Sequence, residues 1–137
     1  MVAFVLDVSA CIPWCCEDET TQASEQMLEW AMEGSALHVP SIWTWEILNT
    51  VAVVTKRRRI TADRAREFLE QLATLNIEVD QPPPIVDFAR LHSLASLRQL
   101  TAYDVAYLDL AKRLSLPLAT RDDDLRLAAL AEGVQVL

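Results

Sequence analysis

Residues 2–10 read VAFVLDVSA. The apolar run VAFVL (2–6) is the length of a buried strand, and it stops at a carboxylate, Asp7. Four further short runs follow: ALHV at 36–39, IEV at 77–79, PLAT at 117–120 and VQV at 134–136. Between them, helical periodicity predicts helices over 20–33, 41–58, 61–75, 83–98 and 102–115. Strand-length runs alternating with helices specify an α/β architecture: a central parallel sheet of about five strands with helices on both faces. Start signals support the helices, namely Ser41 after Pro40, Thr61 with Asp63, and Thr101 ahead of Asp104. QPPP at 81–84 reads as a loop opening the next helix. With no repeat or linker, residues 1–137 are expected to form a single domain, within the usual span of roughly 100–200 residues.

A composition of 52% hydrophobic and 23% charged residues is that of a globular chain rather than a disordered tail. No window offers the roughly 18 uncharged apolar residues that a membrane helix needs. The N-terminus lacks a basic region and places Asp7 inside its apolar run, so a signal peptide is not expected and the cytoplasm is. Cys11, Cys15 and Cys16 are an odd number in one short segment, and His38 and His92 stand alone. The thiols therefore read as small apolar residues of a first helix, not as a disulfide or a zinc site. Only Gly34 and Gly133 are present, and neither follows a strand. Glycine-rich phosphate loops are thereby excluded, and with them a nucleotide cofactor.

The net charge of −8 is unevenly distributed. Residues 1–55 contain eight acids and no Lys or Arg, whereas twelve acids balance twelve basic residues from Lys56 onward. Such a chain repels phosphate at long range, so a nucleic-acid function requires a local basic patch or a bridging cation.

In parallel sheets the active crevice lies beyond the carboxyl ends of the strands. Asp7 ends the first strand, and Asp122 follows PLAT in LATRDDD. Glu46 lies early in the helix after ALHVP, and Asp104 lies in the first turn of TAYDVAYLDLA (101–111). Each has a local alternative. Asp104 stands three residues after Thr101, the spacing of a capping box, and Asp123 stands so after Thr120. Glu46 suits the N-terminal dipole of its helix, and Asp7 or Ser9 could cap the first helix. Together the four suggest convergence on one edge. Two unit charges about 4 Å apart repel by about 4 kcal/mol at an effective dielectric of about 20. Such a cluster calls for a divalent cation, and all-oxygen ligands favour Mg²⁺ or Mn²⁺ over zinc. A metal there can activate water and stabilise charge developing on a phosphate.

The order Asp in FVLDVSA, Glu in PSIWTWEILN, Asp in TAYDVAYLDLA and Asp in LATRDDDL resembles the PIN domain, specifically the VapC-type toxins of bacterial toxin–antitoxin pairs. The resemblance covers nearly the whole chain and includes Ser9, Asn49 and Thr120 at matching offsets. It implies a compact three-layer α/β fold and a Mg²⁺-dependent endoribonuclease. It further implies a homodimer that cleaves RNA and is inhibited by a cognate antitoxin. By carry-over, Asp7, Glu46, Asp104 and Asp122 form the catalytic, metal-binding set. Asp122 matches the T-x-D pattern, which leaves Asp123 as a cap and Asp124 as either a solvated residue or an auxiliary metal-binding acid.

Two surface features bear on partners. KRRR at 56–59 is either a solvated helix end or a tip that grips RNA phosphates. Trp14, Trp30, Trp43 and Trp45 all precede the first basic residue, and Trp43 and Trp45 cannot face one core direction. An antitoxin is expected to pack against the helices containing Trp14 and Trp43 or Trp45 and to place a cation near the acids. A catalytically inactive PIN-like RNA- or protein-binding module is the alternative. A phospho-receiver or phosphatase is disfavoured, because Ser9 stands where a phosphatase's second acid belongs and neither Lys56 nor Lys112 follows a late strand.

Overall fold

The computed structural model describes residues 2–137. Four strands form one parallel sheet: β1 (Phe4–Leu6), β2 (Leu37–Val39), β3 (Ile77–Val79) and β4 (Leu118–Ala119), in the order β3-β2-β1-β4. Phe4 pairs with Leu37 on one side, and Val5 with Leu118 on the other. Because β1 and β2 are central, their apolar residues point into helices on both faces. Phe4, Val5, Leu6, Leu37 and Val39 are fully buried.

Among the described residues seven helices flank the sheet in a three-layer arrangement: α1 (Val8–Cys11), α2 (Gln22–Met32), α3 (Trp43–Lys56), α4 (Ala62–Leu72), α5 (Phe88–Arg98), α6 (Ala102–Leu114) and α7 (Asp123–Ala131). Helix α6 packs across β1, β2 and β4, which is why Val105, Leu108 and Ala111, at i, i+3 and i+6, are buried along it. Thr61 and Thr101 cap α4 and α6 as expected, each accepting the N–H three residues on. Ser41 does not cap α3. Its carbonyl accepts the Thr44 hydroxyl instead, and Ile42 takes the cap position without a side-chain bond.

Two elements differ from expectation. The fifth strand over 134–136 reduces to a single parallel bridge between Leu118 and Val136. β4 is only two residues long, so it offers one bond from Leu118 to Gln135 and one back from Leu137, while the Val134 N–H turns to Ala129. The periodicity also passes over α7, whose Leu125, Ala128 and Ala129 repeat at helical spacing and are buried. Its cap is Asp122, not Thr120 or Asp123.

The cysteines behave as small apolar groups. All three are buried and free. Cys11 lies in α1, whereas Cys15 and Cys16 follow the 3-10 turn Ile12–Trp14. No helix among the described residues is long and apolar enough to cross a membrane.

Candidate acidic site

The carboxyl ends of β1 and β4 are neighbours because the strands are paired, and this brings Asp7 beside the loop 120–122. The Asp7 N–H donates to the Ala119 carbonyl at 3.0 Å. Asp7 occupies the N-cap position of α1, yet its side chain makes no cap bond. Two hydroxyls hold it instead, Ser9 donating to Oδ2 at 2.7 Å and Thr120 donating to Oδ2 at 2.8 Å. Oδ1 is left free of these bonds. The same hydroxyls organise the opposite loop, with Ser9 Oγ accepting the Arg121 N–H at 2.9 Å and Thr120 Oγ1 accepting the Asp122 N–H at 3.1 Å.

Glu46 enters from the first turn of α3 and Asp104 from the first turn of α6. Glu46 Oε1 accepts the Tyr107 hydroxyl at 2.6 Å, which ties α3 to α6. Asp104 is half-buried, and its backbone N–H donates to the Thr101 hydroxyl at 3.2 Å.

The electrostatics show that these groups face one another. Burial lifts the carboxyl pKa of Asp7 above its ordinary value, against the pull of Ser9 and Thr120, and the charge of Asp122 adds to the rise. Burial likewise raises Glu46, opposed by the Tyr107 bond, with Asp7 and Asp104 pushing the same way. Burial raises Asp104 too, opposed by Thr101, with Asp122 and Asp7 contributing. The four acids come from four separate segments: Asp7 and Asp104 bear on Glu46, and the charge of Asp122 bears on Asp7 and Asp104. None of them is paired with Lys, Arg or His among the described residues. Asp122 is also the cap of α7, its Oδ1 accepting the Leu125 N–H at 2.9 Å.

Asp124 is not among the charges that bear on Asp7, Glu46 or Asp104. It is exposed in the first turn of α7 and lines a shallow depression with Arg98, Gln99 and Leu127. Asn49 is exposed one turn beyond Glu46 on α3. Tyr107 is a site residue that periodicity alone does not reveal, because an i, i+4 partner of Tyr103 on an apolar helix reads as core. Its spacing of three from Asp104 is the available signal.

Among the described residues, no three His, Cys, Asp or Glu side chains stand close enough to ligate one ion by themselves. The donor chemistry nevertheless fits Mg²⁺, which keeps several waters and takes only one or two carboxylates directly. Asp7 is pre-oriented by two hydroxyls, and the carboxylates around it lack cations.

The tryptophans divide. Trp43 is 5% exposed and Trp45 72%. Trp14 is buried with its indole N–H donating to the Ser24 carbonyl at 2.9 Å, and Trp30 packs edge-on against Phe4. Trp14 and Trp43 are therefore not surfaces for a partner, and only Trp45, with Leu48 beside it, fits that expectation.

The PIN domain family matches residues 4–131, and the chain belongs to that family. PIN domains are in general nucleases and typically use divalent metals. The fold is similar to the crystal structure of PAE2754 from Pyrobaculum aerophilum, at 21% identity and a TM-score of 0.70, covering 98% of this chain and 89% of that one. It is also similar to the crystal structure of FitAcB from Neisseria gonorrhoeae, at 21% identity and a TM-score of 0.63, covering 98% and 96%. Comparison with curated proteins returns no significant match.

Proposed function

We propose that the chain is a Mg²⁺-dependent endoribonuclease, the toxin of a VapC-type toxin–antitoxin pair, working as one domain in the cytoplasm. The observation that carries this reading is geometric: Asp7, held by the Ser9 and Thr120 hydroxyls at the end of β1, lies beside the loop that carries Asp122, with Glu46 and Asp104 in the first turns of α3 and α6 and, among the described residues, no cation paired with any of them. Bound among them, Mg²⁺ or Mn²⁺ would lower the pKa of a water and stabilise charge on the scissile phosphate. Asp7, oriented by Ser9 and Thr120, and Asp104 are the residues to hold it. Glu46, held by Tyr107, and Asp122 complete the acidic wall and orient water around it.

The partners follow from the surfaces. An antitoxin segment with an apolar side chain for Trp45 and a Lys or Arg for the acids would occupy the site in place of the metal. A homodimer is supported by α5, which has no buried residue, and by the exposed Ile85, Val86 and Phe88 at its start. The deciding experiment is cleavage of a single-stranded RNA by purified antitoxin-free protein. Cutting is expected with Mg²⁺ or Mn²⁺ and none in EDTA. Undiminished cutting in EDTA refutes the metal mechanism, and metal binding without any cutting favours the inactive binding module.

A further inference from the structure

One carboxylate joins two arginines from distant parts of the chain. Glu19 Oε2 accepts from Arg59 Nη2 at 2.6 Å, and Glu19 Oε1 accepts from Arg121 Nη1 at 2.9 Å. Asp18 adds a longer contact to Arg59 at 3.4 Å. The assembly is open to solvent, with the Arg59, Arg121 and Glu19 side chains 38%, 44% and 24% exposed. Lys56, Arg57 and Arg58 are exposed just before Arg59 and make no ion pair among the described residues.

The cluster adjoins the acidic site through backbone. The Arg121 N–H binds Ser9, whose hydroxyl holds Asp7, and Asp122 is the next residue. The Arg121 guanidinium nevertheless turns outward to Glu19. Burial, hydrogen bonds and other carboxylates govern Asp7 and Asp104, with no arginine among their main influences. Two guanidiniums around the two oxygens of one anion is the geometry that binds phosphate. Exposed ion pairs contribute little stability, so Glu19 is displaceable. A polyanion also gains from releasing its own counterions, which a side-chain carboxylate does not.

We propose that Arg59 and Arg121 form a clamp for the backbone phosphate of single-stranded RNA at the rim of the acidic site, and that Glu19 fills this clamp until RNA displaces it. The proposal rests on the nuclease reading for its choice of ligand. It explains how a chain of net charge −8 holds an RNA strand beside its own carboxylates: the basic end of α3 and the loop after β4 supply a local cationic track.

The test is fluorescence anisotropy of a labelled oligouridylate in EDTA over a salt series, with Mg²⁺-dependent cleavage measured separately. Glu19→Gln is expected to bind several-fold tighter. Glu17→Gln removes the same charge from an exposed neighbour outside the clamp and should produce a distinctly smaller gain. Arg59→Ala and Arg121→Ala should each bind more weakly and lower the slope of log K against log salt by about 0.7, the value for one single-strand phosphate contact. Arg121→Lys should restore the slope but not the full affinity. Thermal melts verify folding, and a gain of binding in Glu19→Gln cannot arise from misfolding. Equal effects of Glu17→Gln and Glu19→Gln, or unchanged slopes in both arginine variants, would overturn the clamp. If the variants bind alike while the wild type cleaves, only the clamp falls. If the variants behave as expected while the wild type fails to cleave with Mg²⁺, only the nuclease reading falls.

Discussion

The Tyr107 hydroxyl donates to Glu46 Oε1 across 2.6 Å, joining α6 to α3 over 61 positions of sequence. Tyr107 is 1% exposed, so the bond is made where water competes poorly, and a hydrogen bond to a charged group there contributes about 1.5–3 kcal/mol. The phenol's own pKa is pushed well up by burial and then by this carboxylate, so it remains a donor at every working pH. Tyr107→Phe should therefore lower stability by about 1.5–3 kcal/mol in urea denaturation. It should also raise the pKa of Glu46 further, by removing the bond that favours its charged form. The acid limb of the activity profile is expected to move to higher pH, and an unmoved limb would show that Glu46 takes no part.

Asp7 and Asp104 answer to the metal. Asp7→Asn or Asp104→Asn should abolish RNA cleavage while leaving the circular dichroism spectrum intact. Without metal, Asp104→Asn relieves repulsion from Asp7 and Asp122 and should raise the melting temperature. The cap of α6 is the Thr101 hydroxyl, so Thr101→Ala should instead cost about 1 kcal/mol. A fall in melting temperature for Asp104→Asn would mean that the carboxylate's structural bonds outweigh its repulsion.

The pH dependence of the metal-free protein has a definite sign. Asp7, Glu46 and Asp104 have folded pKa values raised above their ordinary 3.8, 4.5 and 3.8. The folded state then binds more protons than the unfolded one, and stability due to these groups falls as pH rises from those values through the raised ones. Denaturation in EDTA should show this decline, flattened in Asp104→Asn. Added Mg²⁺ should restore stability at neutral pH, and within the titration window its binding should release protons. A metal-free protein whose stability only climbs across this window would contradict the repulsive cluster.

Asp109 behaves oppositely. It is buried, and burial opposes its ionisation, but Arg90 at 2.8 Å and Arg113 at 2.9 Å hold its pKa below the ordinary value. Its contribution is present above about pH 4 and lost as pH falls through the depressed pKa. Asp109 thereby fastens α5, whose side chains, Leu94 included, are at most partly buried, to α6. Asp109→Asn should cost about 1 kcal/mol by removing the charge that pairs with Arg90 and Arg113, since both guanidiniums are half exposed and Arg113 keeps Asp80. The loss should disappear in strong acid. Equal destabilisation at all pH values would show that packing, not charge, fastens α5.

Much of this protein is written locally. Strand-length apolar runs ending at Asp7 and before Asp122, together with caps such as Thr61 and Thr101, depend on neighbours a few residues away, so the α/β class and most helices follow from sequence. Asp7 and Glu46 stand out in the sequence as interruptions of apolar segments, and Asp104 and Asp122 through the order that resembles the family. The short-range signals failed where pairing partners matter. Segment 134–136 has strand composition but only two residues of β4 to bind, and Ser41 lost its cap position to the backbone path after Pro40. Tertiary structure alone decided which tryptophan is exposed, because Trp43 and Trp45 share one helix and only the direction of packing separates them. It alone decided that Tyr107 reaches Glu46 and that Glu19 bridges Arg59 and Arg121. Each is a contact between segments remote in sequence, set by the parallel pairing of β1 with β4 and the helices laid across it. No local preference encodes such a distance.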